Sequence, residues 1–290
     1  MIVSLNEIMH IAESKHIAVG MFDVPGIECI QAVIGAAEEL HQPVILAHAE
    51  VHDSLVGIDL IGPAMIAAAR NACVPVCVHL DHGESLPLIE KAIDLGFTSV
   101  MIDASTHPYD ENVAITKNVV EKCHRLGIDV EAELGRLPSR EDGSPTENAS
   151  PKDFYTDALE ARHFVEATQV DALAIAFGTS HGFYKEKPVL DFNVIRACRE
   201  QTGKPLVMHG GSGVPPHDYS MAIQAGIRKI NYYSYMSRAG YDAAKELMEK
   251  NKTLFFHDVV HAAMLAMEED AKKAIKIFYD YPQSYHQNFG

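Results

Sequence analysis

The sequence predicts an α/β fold in which the whole chain, residues 1–290, forms a single (β/α)8 TIM barrel with extra C-terminal helices. Three observations predict it. Eight short β-rich segments alternate with longer amphipathic ones, most of the eight are nearly continuous apolar runs, and several helical patterns end in glycine just before a strand. Helix-covered parallel strands have this apolar character. A doubly wound open sheet is the alternative, but the count of eight and the absence of a strand-linked GxGxxG favour the barrel.

The predicted elements follow one another in a regular order. The strands are expected at 18–24, 43–49, 74–82, 98–105, 129–135, 172–178, 205–211 and 229–234. The first helix begins with a predicted capping box formed by Ser4 and Glu7. Later helices end in DLGFTSV, RLGIDVEA and QAGIRKIN, where glycine ends a helix and a strand follows within a few residues. The chain beyond residue 235 provides the extra helices.

Composition limits the partners and the compartment. The net charge of −16 argues against a nucleic-acid surface, which needs clustered Lys and Arg. No apolar run approaches the roughly 20 residues that span a bilayer, and the N-terminus lacks the features of a signal peptide. The cysteines form no C-x-x-C pair and are expected to be reduced core thiols: Cys29, Cys73, Cys77, Cys123 and Cys198. We therefore expect a cytoplasmic protein that binds neither nucleic acid nor membrane.

Three histidines stand where apolar runs end. His82, His181 and His209 each follow a predicted parallel strand and precede glycine-rich polar sequence. A closed parallel barrel brings its strand ends into one mouth, so distance along the chain is no obstacle to their meeting. Three neutral imidazoles with one coordination position left open suit a catalytic divalent metal. The sequence therefore predicts a metal site at the C-terminal end of the barrel.

Other polar residues at the same strand ends extend this site. Strand three ends in Asp81-His82 and strand four in Asp103, strand five carries Glu131 and Glu133, and strand eight contains Asn231. Glycines flank two of the histidines, and backbone N–H groups of glycine loops after late barrel strands commonly bind phosphate. The donors predicted for a phosphate follow His209 and include Ser212, Asn231 and Ser234.

Each of these residues has a purely structural explanation as well. A single histidine is more often structural than a metal ligand, and we assign His79, His107, His163 and His257 to that class. Asp81 could be a helix N-cap, and Glu131 and Glu133 a polar strand face. Two acids in an apolar barrel strand would, however, be costly unless they are paired or linked to a metal. The combination favours a catalytic site.

A long polar segment interrupts the regular order at residues 136–156. It contains three prolines between strand five and the next helix, at the face that carries Glu131 and Glu133. Segments of this length in compact domains are either disordered or functional lids. We favour a lid.

Five motifs, in order, resemble signatures of the class II, metal-dependent ketose bisphosphate aldolases. They are VHLDHGES, SVMIDAS, VEAELG, FGTSHGFYK and HGGSGVP, and the similarity extends from about residue 1 to about 235. The resemblance implies that His82, His181 and His209 bind zinc, with Glu133 nearby and Co2+ or Mn2+ as possible substitutes. It implies an aldolase that splits a ketose phosphate into dihydroxyacetone phosphate and an aldehyde through a zinc-stabilised enediolate.

The resemblance also assigns roles to other residues. Asp81 exchanges a proton with the aldehyde oxygen, and Glu141 of the long loop moves the proton on the enolate carbon. Asp103 matches a second metal-site contact or a monovalent-cation site. The phosphate of dihydroxyacetone phosphate would bind to Gly182, Lys185, Gly210, Gly211, Ser212, Asn231 and Ser234. The family is oligomeric, so a homodimer or homotetramer is expected.

The chain departs from the family where the second phosphate would bind. Ala49 lies near the place of a serine, and LFFHDVVHAAMLAM lacks the arginine that the family commonly has in a C-terminal segment. We therefore predict an aldehyde other than glyceraldehyde 3-phosphate. Candidate contacts on the aldehyde side are His48, Glu50, His52, and Tyr232 or Tyr233. Alternatives are a true fructose or tagatose 1,6-bisphosphate aldolase, a metal-dependent hydrolase, and a non-catalytic partner subunit.

Overall fold

A computed structural model describes residues 1–135, 155–184, 186–251 and 253–279 of the chain. Within these ranges eight parallel strands close into a barrel, in which each strand pairs with the next and the eighth pairs with the first. The predicted fold is confirmed. The strands are β1 (Val19–Asp23), β2 (Val44–Ala49), β3 (Val76–Gly83), β4 (Ser99–Ile102), β5 (Asp129–Leu134), β6 (Ala172–Ile175), β7 (Leu206–Met208) and β8 (Ile227–Asn231).

Helices surround the barrel and follow the predicted order. They are α1 (Leu5–Lys15), α2 (Ile27–Leu40), α3 (Ile58–Asn71), α4 (Leu86–Leu95), α5 (Tyr109–His124), α6 (Ala158–Thr168), α7 (Phe192–Thr202), α8 (Pro216–Ala225), α9 (Ser234–Lys250) and α10 (Phe256–Tyr279). The capping box of Ser4 and Glu7 opens α1 as predicted. Gly96 ends α4 in the left-handed conformation, where glycine carries no steric penalty.

Several predicted strands were too long at their C-terminal ends. The segments 98–105, 172–178 and 205–211 end as strands at Ile102, Ile175 and Met208. The last predicted strand, 229–234, begins and ends too late in the sequence, because β8 occupies Ile227–Asn231. In each case the residues beyond the strand form the loop that carries polar groups at the barrel mouth.

The interior of the barrel changes character from its lower to its upper end. Apolar side chains of α1 close the N-terminal end and pack against the inward residues of several strands, including Val19, Met21, Ile45, Ala47 and Val207. Towards the C-terminal end the buried inward residues are polar: His79, Asp81, Glu131, Glu133, Lys229 and Asn231. Because unpaired polar groups are costly to bury, this upper half must be held by specific contacts.

The last two helices pack together and against the rest of the molecule. Gly240 of α9 lies against Met267 of α10, and the hydroxyl of Tyr232 donates to Asp270 of α10 at 2.9 Å. The backbone N–H of Ala18, just before β1, donates to Phe278 near the end of α10. None of the described helices combines the length and apolar character that a membrane span requires.

The cysteines agree with the predicted core thiols at four of five positions. Cys29, Cys77, Cys123 and Cys198 are buried, and all five cysteines are free. Cys73 is exposed, which contradicts its assignment to the core. It follows α3 directly, where the chain is at the surface before it enters β3.

Candidate metal centre and active site

The three histidines at the strand ends converge at the mouth of the barrel. Ring centroids lie 4.5 Å apart for His82 and His209, 5.0 Å for His82 and His181, and 5.8 Å for His181 and His209. One nitrogen from each ring lies within 4.8 Å of the others. The convergence predicted from the sequence is therefore present in the structure.

A bulge at the end of β3 explains how Asp81 and His82 both face this site. Neighbouring residues of a regular strand point to opposite faces of the sheet. The pairing of β3 with β4 shifts register between Leu80 and Gly83, and His82 has a φ of 43°. Bulges re-aim side chains, and a non-glycine residue held at positive φ within a strand is a strained position of the kind found at functional sites.

Two carboxylates fix the orientation of two of the imidazoles. Asp103 accepts a hydrogen bond from Nδ1 of His82 at 2.7 Å, and Glu131 accepts one from Nε2 of His209 at 2.9 Å. The remaining nitrogens, Nε2 of His82 and Nδ1 of His209, therefore face each other at 2.8 Å. Carboxylates that hold the outer nitrogen of a histidine are typical of metal-ligating imidazoles.

Burial and neighbouring charges shift the pKa values of Asp103 and His209. Burial opposes ionisation of Asp103, but the hydrogen bond and charge of His82 outweigh it and hold the pKa of Asp103 below its usual value. Burial, together with the neighbouring His82, lowers the pKa of His209 well below the usual value. Since metal binding requires neutral imidazole, a depressed pKa at His209 favours it at neutral pH.

Glu133 lies beside the histidines and forms a second candidate donor group with His82 and Asp103. Its Oε2 is buried, lies 3.6 Å from Nδ1 of His209 and has no hydrogen-bond partner among the described residues. Burial, and then the charge of Asp103, raises the pKa of Glu133 well above its usual value. Ligands of a tetrahedral ion with bonds of about 2.1 Å lie about 3.4 Å apart, and the donor atoms here lie 2.8 Å apart for His82 and His209 and 3.6 Å apart for His209 and Glu133. The residues present fit a divalent metal ion.

Asp81 is buried beside the histidines. Its Oδ1 accepts a hydrogen bond from the side-chain amide of Asn231 at 3.1 Å, and its Oδ2 lies 3.9 Å from Nε2 of His82. Burial raises the pKa of Asp81, although His82 and Lys229 oppose the shift. A carboxyl group whose pKa moves towards neutrality is suited to accept and donate a proton.

A pocket adjoins the histidines at the ends of β7 and β8. Its lining contains most of the residues predicted for a phosphate, namely Gly182, Gly210, Gly211, Ser212, Asn231 and Ser234. A Cβ at Gly210 would lie 2.5 Å from the carbonyl oxygen of Ser180, and one at Gly211 would lie 2.6 Å from that of Asn231. Glycine is required for this close approach. Lys185 and Glu141 lie outside the described residues, as does most of the predicted lid.

The residues predicted for the aldehyde side have different environments. His48 is buried and contacts Asp53 at 3.3 Å, while the ring of His52 packs on Tyr233 with centroids 4.8 Å apart. Glu50 accepts hydrogen bonds from the backbone N–H groups of Glu84 and Ser85 just before α4, so its carboxylate already has partners. Tyr233 lines the pocket. Tyr232 lines it too, and its phenol donates to Asp270 of α10.

Three further residues near the site were not assigned to it from the sequence. Asp23, at the end of β1, lines the pocket. Lys229 is buried beside Glu131, and His79 lies within the barrel near Asp81. Their inward position on the strands was the available signal, because positions 79 and 81, and likewise 229 and 231, share a strand face.

Comparisons with known proteins agree on one family. The sequence model described as "Fructose-bisphosphate aldolase class-II" matches residues 3–281, so the similarity extends beyond residue 235, where we expected it to end. A fructose-bisphosphate aldolase of Geobacillus stearothermophilus is 40% identical over 259 residues, or 88% of each chain. A probable fructose-bisphosphate aldolase of Bacillus subtilis is 42% identical over 250 residues, covering 85% of this chain and 86% of that one.

Solved structures give the same result. The crystal structure of the YdjI aldolase from Escherichia coli K12 superimposes with a TM-score of 0.85 at 35% identity. The alignment covers 96% of this chain and 97% of that chain. The chain belongs to the class II fructose-bisphosphate aldolase family.

Proposed function

We propose that this chain is a metal-dependent aldehyde-lyase that reversibly cleaves a ketose 1-phosphate or 1,6-bisphosphate to dihydroxyacetone phosphate and an aldehyde. One observation carries the proposal: three imidazoles converge beside a glycine-lined pocket. His82, His181 and His209 would hold the ion, with Glu133 as an additional donor. A divalent ion there would supply Lewis acidity towards the substrate oxygens. Zinc is favoured, and Co2+ or Mn2+ would suit the same donors.

The chain's own carboxylates would move the protons. Asp81 lies beside the histidines with a raised pKa, so it can accept the proton of the hydroxyl that becomes the aldehyde oxygen when the C–C bond breaks, and return it to that oxygen when the bond forms. Asn231 donates to Asp81 and leaves its other oxygen directed towards His82. Glu141, carried by the long loop, is proposed to move the proton on the carbon of dihydroxyacetone phosphate that forms the new bond.

The pocket at the ends of β7 and β8 would hold the phosphate. Gly210 and Gly211 permit a close approach of backbone to an anion, and the Ser212 hydroxyl lies at the same rim. Lys185 is proposed to add a positive charge. A phosphate held here would keep the carbonyl end of the substrate next to the three histidines.

The aldehyde is proposed to differ from glyceraldehyde 3-phosphate. Ala49 is fully buried at the end of β2, and the segment 254–267 supplies no arginine. His52 and Tyr233, whose rings pack together at the edge of the pocket, are the stronger candidates for that side. His48 is buried against Asp53 and Glu50 already caps α4, so both have the weaker claim. A fructose 1,6-bisphosphate substrate is the second candidate, since relatives with about 40% identity carry that name.

Steady-state kinetics on the zinc-loaded protein test both candidates. We expect cleavage of ketose 1-phosphates with kcat/KM above that for fructose and tagatose 1,6-bisphosphates, and loss of all activity after chelation. A strong preference for a bisphosphate would favour the second candidate. Borohydride with substrate should trap no lysine adduct, because a metal ion, rather than an imine with a lysine, would activate the substrate carbonyl. An adduct would overturn the metal-dependent reaction.

A further inference from the structure

A layer of charged side chains lies inside the barrel beneath the three histidines. His79, Asp81, Glu131 and Lys229 are all 0% exposed. Charged groups buried in this way are retained only where their partners are well placed, and they often specify geometry more than they add stability. The contacts within this layer therefore deserve a functional explanation.

Lys229 lies at the centre of the layer and bridges two side chains. Its Nζ lies 2.9 Å from Oε2 and 3.1 Å from Oε1 of Glu131. It also donates to Oδ1 of Asn231 at 2.9 Å. Glu131 and Asn231 come from strands on different sides of the barrel, so one ammonium group ties β5 to β8.

Each of these two partners holds a residue of the proposed active site. Glu131 accepts a hydrogen bond from Nε2 of His209, which leaves Nδ1 facing the other histidines. Asn231 donates from Nδ2 to Asp81. An amide can present either its oxygen or its NH2 group, and Lys229 can donate only to the oxygen. Lys229 therefore determines which end of Asn231 faces Asp81.

We propose that Lys229 is a positioning residue that sets the orientation of His209 through Glu131 and that of Asp81 through Asn231. The inference rests on the proposed function, in which His209 holds the metal and Asp81 moves the proton of the aldehyde oxygen. His79 closes one side of the layer, with Nδ1 bonded to Ser99 and Nε2 at 3.9–4.0 Å from Glu131 and Asp81. Lys229 contacts Glu131 directly, and its charge also acts on Asp81.

The test uses Lys229→Met in the Co2+-loaded protein with three readouts. These are Co2+ affinity from chelator competition, the visible spectrum of bound Co2+, and the ratio of ketose cleavage to proton exchange on dihydroxyacetone phosphate. We expect Co2+ affinity to fall about 10- to 100-fold, as when other outer partners of metal ligands are removed. The spectrum should change, and at saturating Co2+ cleavage should fall at least tenfold more than exchange, because only cleavage uses Asp81.

Three further variants separate the two branches, protect the test from misfolding and provide a control. Glu131→Gln should weaken Co2+ binding yet keep the wild-type ratio of cleavage to exchange. If Lys229→Met does not fold because Glu131 is left unpaired, the double variant Lys229→Met/Glu131→Met removes both charges and should reproduce both defects. Lys272→Met removes another largely buried, ion-paired lysine, on α10, and should leave all three readouts unchanged.

The outcomes distinguish this inference from the proposed function. A folded Lys229→Met or double variant with wild-type Co2+ affinity, spectrum and cleavage-to-exchange ratio would overturn the role of Lys229 alone. A wild-type protein that neither binds Co2+ nor cleaves a ketose phosphate would instead overturn the proposed function.

Discussion

Asp103 accepts a hydrogen bond from Nδ1 of His82 at 2.7 Å, so only Nε2 of that ring is directed towards the other histidines. The pair joins the ends of β4 and β3. It therefore couples the bulged, positive-φ backbone at His82 to a neighbouring strand and keeps the imidazole in the tautomer that a metal site needs.

We expect Asp103→Asn to weaken metal binding about 10- to 100-fold, because the imidazole loses its charged partner and with it both basicity and orientation. Isothermal titration with Zn2+ measures the effect. Asp59→Asn, which removes an exposed acid that pairs with Lys91, serves as the matched control and should bind zinc normally. An unchanged zinc affinity in Asp103→Asn would show that the carboxylate does not act on the metal site.

Metal binding should also stabilise the fold. Three imidazoles converge at the barrel mouth, with Glu133 beside His209, and an ion that binds only the folded state at a thousand times its Kd adds about 4 kcal/mol. We expect the Tm to rise when Zn2+ is added to chelator-treated protein and to respond little to Mg2+, which prefers oxygen ligands. The rise should disappear in His181→Ala; a similar rise in that variant would place the ion elsewhere.

The strands could be predicted because each apolar parallel run leaves a strong local signal, but their ends could not. Tyr232 and Tyr233 look like a continuation of β8, yet the strand ends at Asn231. The reason is tertiary: the ring of Tyr232 packs against Phe278 and its hydroxyl contacts Asp270, both on a helix that the local sequence does not specify.

Some residues of the site could likewise be predicted from the sequence, and others could not. Strand-end positions identified the histidines, because closure of a parallel barrel brings such positions together. The roles around Lys229 were missed because its shared strand face with Asn231 indicates an inward position but does not identify the partners of a buried cation. Its partner Glu131 lies 98 positions away in the sequence, and only the closed barrel brings the two charges together.

Gly210→Ala should damage the phosphate pocket. The residue has a φ of 61°, and an added Cβ would lie 2.5 Å from the carbonyl oxygen of Ser180, so the loop must move. We expect an unfolding free energy lower by about 1–3 kcal/mol and a raised KM for the phosphorylated substrate. Gly203→Ala is the control, with a φ of 63° but open space around its Cβ. It should lose stability while keeping the wild-type KM.

Stability should depend on pH through His52. Burial, and then the charge of His48, lowers the pKa of His52 to about 4. Between about pH 6.5 and 4 the unfolded chain binds a proton at this residue that the folded chain does not, so the unfolding free energy falls as the pH falls. This loss of unfolding free energy is absent above about pH 7 and reaches about 2 kcal/mol at pH 5.

Chemical denaturation of the wild type and His52→Gln at pH 7.5 and 5 isolates the effect of His52 on the unfolding free energy. A chelator is present throughout, so that loss of metal at low pH makes no contribution. The wild type should lose about 2 kcal/mol more than the variant on acidification. Equal losses would mean that His52 is protonated in the folded protein at pH 5.

The surface of the last two helices predicts self-association. Phe255 and Phe256 at the start of α10 are 74% and 83% exposed, and further apolar side chains on α9 and α10 are exposed nearby in sequence: Tyr241, Met248 and Leu265. Exposed apolar residues grouped on one pair of helices are typical of an interface between protein chains. We expect a homodimer or homotetramer in solution, and Phe256→Glu should shift it towards a smaller species because a buried, unpaired carboxylate opposes association.

Light scattering after size exclusion measures the mass of the assembly. Leu126→Glu, which changes an exposed leucine just after α5, is the control and should keep the wild-type assembly. If the wild type is a monomer, the predicted oligomer is wrong. If Phe256→Glu has the same mass as an oligomeric wild type, the interface lies on another surface.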